Sequence, residues 1–443
     1  MTNKFKYYVE GSNVHQSLAN HILADGLNMV LDLEKSNGTK IQDKYTGKVY
    51  YDFFTCFASM PIGYNHPDMM DDEFINYLGK VALNKPSNSD VYTEEFATFV
   101  NIFFNVAVPE HFKYSFFVSG GALAVENALK AAFDWKVQKN FEKGCKEEKG
   151  HKIIYFNEAF HGRSGYTMTM TNTDPVKVKY FPKFDWFKVD NPKINFDSDD
   201  YDELVMREKK SISQITSIFQ ENKDDIAAII IEPIQGEGGD NHFRPQFLKK
   251  LKDICIENDA LLIFDEVQTG VGITGKWWVH EKLDVIPDIM AFGKKMQTCG
   301  ILAGKRIDEV KTNVFHTSSR INSTWGGNLV DMVRSAKYIE IIEKYNYLEN
   351  ASKMGDLLLN SLKEIQSRHP GHVSNVRANG LFAAFDFTAE KRHDLLNKCI
   401  ENGLLLLTCG KNSMRFRPPI NVSQSEIEHA MNILDDSVKQ IFR

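Results

Sequence analysis

Between Phe112 and Gly300 the chain alternates two hydrophobic patterns. Short stretches are apolar almost throughout: SFFV (115–118), KIIYF (152–156), AAIIIEPI (227–234), ALLIFDEV (260–267) and DIMAF (288–292). Strands read this way in a parallel sheet covered on both faces, because neither side of the strand meets water. Between them run longer stretches with helical spacing, ALAVENALKAAFDWKVQKNF (122–141) and FLKKLKDICIEN (247–258). In the first, Val125, Leu129, Ala132 and Phe133 recur at i, i+4, i+7 and i+8 and share one helix face. The alternation predicts an α/β region.

The ends of the chain read differently. Beyond about Arg334 two helical patterns, MVRSAKYIEIIEKYN and KMGDLLLNSLKEIQSRH, are followed by the strand-like GLFAAFDF and GLLLLTC. That succession suits a smaller α+β domain. The expected division is an N-terminal segment over 1–86 that contributes to the small domain, a large domain over 87–334, and a C-terminal small domain over 335–443. The polar, charge-rich stretch from Asn191 to Ser213 is expected to be a long surface excursion. No repeat or low-complexity tract interrupts the chain.

Charge and composition narrow the function classes. Lys plus Arg is 53 and Asp plus Glu is 59, a formal net charge of −6, and long basic runs are missing, so a protein that wraps nucleic acid is not expected. No apolar stretch approaches the roughly 18–20 residues of a membrane span, and the start MTNKFKYYVEGSN carries no apolar leader. The six cysteines, Cys56, Cys145, Cys255, Cys299, Cys399 and Cys409, are scattered without a C-x-x-C pair and read as free thiols. A cytoplasmic protein is expected.

Three constellations carry candidate chemistry. Ser119-Gly120-Gly121-Ala122 lies between an apolar run and the long helix, where free backbone N–H groups and the positive end of the helix dipole suit a phosphate; alone, it is equally a tight strand-to-helix turn. Asp265 closes the run 260–264, at the strand end where open α/β sheets bind ligands. Gly293-Lys294-Lys295 closes the run DIMAF. A lysine there is costly to bury unless it is paired or chemically modified, and Schiff-base formation is one way out. Lys294 is read as the exposed member of the pair. Together the three supply what pyridoxal phosphate needs: a phosphate cradle, an acid for the pyridine nitrogen and an amine for the aldehyde.

Two other readings fail. Gly270 to Lys276 matches G-x-x-x-x-G-K, but Trp277 stands where a P-loop ATPase needs a hydroxyl ligand for Mg²⁺. His280-Glu281 lacks the second histidine of H-E-x-x-H, so no zinc site is expected there.

SGGALAVENALK, AFHGRSGY, IIIEPIQGEGGD, LLIFDEVQTGVGITGKWW, AFGKKMQTCG, STWGGN and MRFRPP resemble the class III (ω-) aminotransferases of PLP fold type I. The resemblance runs from about Leu23 to Pro419. Within the family, GGALAVENALKAAFDWK, AFHGRSGYT, QGEGGDNHFRP and RINSTWGGN resemble the subgroup that acts on the terminal amine of L-lysine. The implied fold is a large domain with a mostly parallel sheet flanked by helices, plus a smaller α+β domain. The implied cofactor is pyridoxal 5'-phosphate.

The resemblance also implies roles. Lys295, opening Lys-Met-Gln-Thr-Cys-Gly, is implied as the Schiff-base lysine and Asp265 as the partner of the pyridine nitrogen. Gln268 is implied at the ring hydroxyl, Phe160 on the ring face, and Gly120, Gly121 and Ala122 at the phosphate. Many members carry a threonine in that loop; here it reads Ser-Gly-Gly-Ala-Leu, which leaves the grip to backbone donors. Thr324 is implied to reach the phosphate of a neighbouring subunit, so a homodimer with shared active sites is expected.

For substrates, Arg163 is implied at the distal carboxylate and Arg415 at the α-carboxylate of the keto acid, since the guanidinium fork binds carboxylates bidentately. Glu237 is implied to cover Arg415 while lysine binds and to swing away for 2-oxoglutarate. Asn322 meets substrate or caps a turn; His161 touches the cofactor or is a satisfied core histidine; Glu232 orients the surroundings of Asp265 or ends its strand. The implied reaction is ping-pong transfer of the ε-amine of L-lysine to 2-oxoglutarate, giving 2-aminoadipate 6-semialdehyde and L-glutamate. An ornithine or 4-aminobutyrate aminotransferase is the near alternative and a nucleotide-binding ATPase the remote one.

Overall fold

The computed structural model describes residues 5–198 and 200–442. Seven strands form the central sheet: β1 Phe112–Val118, β2 Lys152–Phe156, β3 Phe187–Val189, β4 Ile226–Ile231, β5 Leu261–Asp265, β6 Ile289–Phe292 and β7 Cys299–Gly304, in the spatial order β1-β7-β6-β5-β4-β2-β3. From β6 through β5, β4 and β2 to β3 every pairing is parallel. β7 runs antiparallel to both β6 and β1.

The continuous apolar strands are explained by two separate cores. Ile229, Ile231, Leu262, Phe264, Met290 and Phe292 belong to one, and Ala228, Ile230, Leu261, Ile263, Ile289 and Ala291 to the other. Successive residues of a strand point to opposite faces, so each strand feeds both cores by turns. The helix α1, Gly121–Glu142, covers the second face with Val125, Leu129, Ala132 and Trp135. The same alternation sends Asp265 toward the α1 face and Glu266 away from it.

The expected excursion over 191–213 is corrected. Irregular chain ends at Asp200, whose carboxylate caps the N–H of Glu203 at 2.8 Å, and the helix α2 runs Tyr201–Glu221. Leu204, Glu208, Ser211, Ile215 and Phe219 form its buried stripe. Two polar residues inside the stripe hide the helical period; Glu208 is kept there by an ion pair with Arg244 at the start of α3, Pro245–Glu257.

A second sheet of β8 Val373–Asn379, β9 Phe382–Phe387, β10 Leu407–Cys409 and β11 Ser413–Phe416 runs in the order β8-β9-β11-β10, antiparallel throughout. The helices α4 Leu329–Lys344, α5 Tyr347–Arg368, α6 Arg392–Glu401 and α7 Gln424–Ile441 complete the C-terminal part. Strand Val49–Asp52, far away in sequence, pairs with Leu404–Leu405 in parallel, so the two ends of the chain share a sheet. Among the described residues no helix is long and apolar enough to cross a membrane.

Candidate active site

The site grows from the C-terminal ends of β4 and β5 and from the turn between β6 and β7. Asp265 ends β5 and is buried. One carboxylate oxygen accepts the backbone N–H of Val267 at 3.1 Å, and the other lies 2.8 Å from Nδ1 of His161. A carboxylate only accepts, so the imidazole donates through Nδ1. His161 Nε2 is buried with no partner among the described residues.

Glu232 directly follows β4. Its carboxylate accepts the N–H groups of Phe160 and Gly236, each at 2.9 Å, and so ties two loops to the strand end. Burial raises its pKa to about 7; His161 works against that rise and the charge of Asp265 adds to it.

The chain reverses after Phe292 through the short turn Lys294–Met296 and returns as β7. Here the sequence-based assignment is corrected: the structure brings Lys294, not Lys295, to the site. Lys294 lines the same cavity as Asp265 and Gln268, and its φ of +48° belongs to the tight reversal. Lys295 is 2% exposed, and its ammonium donates to the backbone carbonyl of Gln268 at 2.6 Å. The two amines also have different charged neighbours. Burial and the cations Arg415 and Arg417 bring Lys294 down to about 8, with Asp265 and Glu232 opposing. Burial and the neighbouring Lys294 hold Lys295 far below its ordinary value, and the carboxylate that opposes this is Glu266, on the other face of the strand.

The cavity measures about 310 Å³. Among the expected residues, Gly121, Ala122, Phe160, Arg163, Asp265 and Gln268 line it, joined by His161, Glu232 and Lys294. Gly120 is the N-cap of α1 at φ +121°, ψ 135°, a conformation that favours glycine, and no side chain caps the helix. The first N–H groups of α1 therefore have no internal acceptor.

Arg415 is 5% exposed, yet among the described residues the only hydrogen bond of its guanidinium runs from Nη1 to Oε1 of Gln268 at 3.4 Å, and its Nε has no partner. Arg417 is satisfied differently: Nη2 and Nη1 grip the two carboxylate oxygens of Asp240 at 2.6 and 2.9 Å, and Nη2 also donates to Gln268 Oε1 at 2.9 Å. Glu237 does not pair with Arg415 in this structure. Its carboxylate pairs with Lys177, delivered by the short turn Pro175–Lys177. Asn322 and Thr324 are not part of the cavity wall either. Both are exposed; the Thr324 carbonyl accepts from the hydroxyl of Ser87, and Asn322 borders a separate hollow of about 920 Å³ with Asn88, Ser89 and Tyr92. That hollow is larger but lacks the convergent charges of the smaller cavity.

Sequence reasoning did not single out Lys177, Asp240 or Arg417, although the last two stand inside the quoted motifs QGEGGD and MRFRPP. It also gave no sign of the turn Thr55–Ala58, four consecutive non-glycine residues with φ between +44° and +64°. Such a turn costs roughly 1–2 kcal/mol per residue. It is held by Asp52, which accepts the N–H groups of Phe54 and Thr55 at 3.0 and 2.7 Å, and by the Thr55 hydroxyl, which donates to the carbonyl of Arg417 at 2.7 Å.

A sheet-end acid, an amine in the same cavity, an uncapped helix start and two cations suited to carboxylates agree with what comparison of the chain finds. Residues 22–438 match the family Aminotransferase class-III. The chain is a class III aminotransferase. It is 47% identical over 420 residues to an L-lysine-epsilon aminotransferase of Mycobacterium tuberculosis, covering 94% of this chain and 93% of that one. It is 44% identical to the L-lysine-epsilon aminotransferase of Amycolatopsis lactamdurans, covering 97% and 96%. The solved structure of a lysine aminotransferase from M. tuberculosis in the internal aldimine form superposes with a TM-score of 0.96 at 45% identity, covering 98% of this chain and all of that one.

Class III aminotransferases use pyridoxal 5'-phosphate. The residues of this aminotransferase fit the group: the uncapped start of α1 offers N–H donors to a phosphate, Asp265 is an acceptor-only anion held by His161, and Lys294 is an amine already shifted toward its neutral form.

Proposed function

We propose that this aminotransferase moves the ε-amine of L-lysine to 2-oxoglutarate, giving 2-aminoadipate 6-semialdehyde and L-glutamate in two half-reactions that use one site in turn. The observation that carries the reading is the placement of Lys294 and Asp265 in one cavity that also has Arg163 in its wall, with Arg415 bonded to the same Gln268. The L-lysine-epsilon aminotransferases at 44–47% identity support the choice of amine donor.

Bound pyridoxal phosphate supplies an aldehyde that links to amines and a protonated ring that takes up the electron pair when a C–H bond breaks. The chain supplies the rest. The N–H groups around Gly120, Gly121 and Ala122 hold the phosphate, and Asp265, oriented by His161, keeps the ring nitrogen charged by direct pairing. Phe160 and Gln268, both in the cavity wall, would hold the ring by its face and its hydroxyl.

We assign to Lys294, in place of Lys295, the covalent anchorage and then the proton transfer: its freed Nζ takes the proton from the ε-carbon of lysine. Arg163 holds the α-carboxylate of lysine in the first half-reaction and the distal carboxylate of 2-oxoglutarate in the second. Arg415 takes the keto acid's α-carboxylate, and Glu237 moves onto Arg415 while lysine is bound.

We further propose that the enzyme is a cytoplasmic homodimer in which Thr324 serves the neighbouring subunit's phosphate and Asn322 its substrate. Exposed Val91, Tyr92, Leu123 and Trp325 are apolar surface suited to burial against a second copy.

A comparison of amine donors at fixed 2-oxoglutarate tests the substrate. L-Lysine should give a higher kcat/KM than L-ornithine or 4-aminobutyrate, with a product that cyclises. A clear preference for either rival overturns the assignment.

A further inference from the structure

We propose that Gln297 is a positioning residue that holds the lysine turn, through the left-handed turn Thr55–Ala58, at a fixed distance from the strand of Arg415. That spacing serves the half-reaction of 2-oxoglutarate and L-glutamate and not that of L-lysine. The inference rests on the roles proposed above for Lys294, Arg163 and Arg415 and adds a residue to them.

Asp265, Lys294 and Arg163 come from the central sheet and its loops, whereas Arg415 stands on β11 of the second sheet. The segment 53–61 bridges the two. On one side it grips the chain just beyond Arg415. The N–H of Arg417 donates to the carbonyl of Phe53 at 2.7 Å, the Thr55 hydroxyl to the carbonyl of Arg417 at 2.7 Å, and the N–H of Ile420 to the carbonyl of Pro61 at 2.8 Å. On the other side the left-handed turn packs on the turn Lys294–Met296, and Nε2 of Gln297 donates to the carbonyl of Ser59 at 2.7 Å. Among the described residues this is the only hydrogen bond between 53–61 and 293–298. Gln297 has a φ of +64°, and its own N–H closes the lysine turn onto the carbonyl of Lys294 at 2.8 Å, so what fixes its side chain fixes the turn. Four consecutive left-handed residues persist only where their surroundings determine them. Asp52, 1% exposed, does so through its bonds to Phe54 and Thr55.

The turn is a short strut between the amine and the guanidinium, and the two substrates make different demands on it. In 2-oxoglutarate the reacting carbon is bonded directly to the carboxylate carbon. With that carboxylate on Arg415, the reacting carbon is placed within one bond of a group on β11, and the amine side has to meet it there. The α-carbon of L-glutamate is under the same constraint. L-Lysine reacts at the far end of its chain and has its carboxylate on Arg163, in the wall of the cavity that also holds Lys294, so it needs no fixed distance to β11. A misplacement of about 1 Å costs a positioned reaction on the order of a hundredfold, and loss of one tie should cost part of that.

The test uses the purified holoenzyme as wild type, Gln297→Leu, Gln297→Asn and Thr55→Val. The half-reactions with L-glutamate and L-lysine are followed by cofactor absorbance. Calorimetry gives the thermal midpoint and the dissociation constant of glutarate, a dicarboxylate without a reacting centre. Gln297→Leu should slow the maximal rate with L-glutamate about fivefold to twentyfold, while the rate with L-lysine and the glutarate constant stay within about twofold. Gln297→Asn suits the left-handed backbone better but does not reach Ser59, and should show the same loss at an unchanged or higher thermal midpoint. Thr55→Val cuts the strut at its other end and should show the same selectivity. The variant with both Gln297→Leu and Thr55→Val should lose less than the product of the two single losses. Equal slowing of both half-reactions, a weaker glutarate constant with an unchanged L-glutamate rate, wild-type rates in either Gln297 variant, or losses that multiply overturn the proposal. If the wild type takes no amine from L-lysine, the lysine assignment falls, while L-glutamate against glutarate still decides the role of Gln297.

Discussion

Lys294 and Lys295 are adjacent in the chain yet stand in different fields. Lys294 shares its surroundings with Asp265 and Glu232, and Lys295 with Glu266 and the carbonyl of Gln268. Only a neutral amine attacks an aldehyde, and both lysines are shifted toward that form; what separates them is access, because Lys294 lines the cavity while Lys295 Nζ is held by the Gln268 carbonyl. At pH 7.5 an amine with a pKa of about 8 is roughly a quarter neutral, against about 0.1% for an ordinary lysine. Capture of a small aldehyde by cofactor-free protein, read by mass after borohydride treatment, should therefore rise with pH through a midpoint near 8. Lys294→Ala should abolish that rise, whereas Lys295→Ala should keep it and lose stability by roughly 1–3 kcal/mol for the unpaired carbonyl it leaves. A midpoint above pH 10 in the wild type contradicts this account. Nothing in Gly-Lys-Lys separates the two residues by composition. The separation comes from a three-residue turn, whose direction depends on a φ of +48° that the sequence does not announce.

At the scale of elements, the loop between β4 and α3 is pinned at two glycines in different ways. A Cβ on Gly236 would stand 2.6 Å from the amide of Gln268, the movable end of a side chain, while one on Gly238 would stand 2.0 Å from the backbone carbonyl of Glu158. Gly236→Ala should thus leave the thermal midpoint near the wild-type value and lower activity, because Gln268 is pushed off Arg415 and Arg417. Gly238→Ala forces backbone to move, an overpacking cost of about 1–3 kcal/mol that should lower the midpoint by several degrees. Calorimetry beside steady-state rates separates the two; equal loss of stability in both variants counts against the geometry. The strands that carry the site, β4, β5 and β6, were legible because burial on both faces leaves no polar position in them before Asp265 at the end of β5. α2 was not, since Glu208 and Ser211 stand in its buried stripe, and the antiparallel return of β7 follows from the turn before it. The pairing of Glu237 with Lys177 was also out of reach, as two residues far apart in the chain meet only once the fold is made.

For the whole molecule, the proposed sharing of sites between subunits has a direct consequence. Thr324 is exposed and lies outside its own chain's cavity, while Lys294 is inside it. Homodimers of Lys294→Ala and of Thr324→Arg should each be inactive. A hybrid of the two should regain about half of the wild-type activity, because one of its two sites receives an intact lysine from one subunit and an intact threonine from the other. Co-expression with two affinity tags isolates the hybrid. No recovery would mean that Thr324 serves its own subunit or none. The class of the fold and the motif-bearing strand ends were readable from the chain alone because hydrophobic alternation and strand-end chemistry are local. Which side chains finally meet is decided by the packing of distant segments.

The most direct measurement traps the purified, cofactor-loaded enzyme with borohydride and maps the modified peptide by mass spectrometry. The account predicts a phosphopyridoxyl group on Lys294, with Lys295 unmodified and the adduct lost in Lys294→Ala. An adduct on Lys295, or none on either lysine, contradicts it.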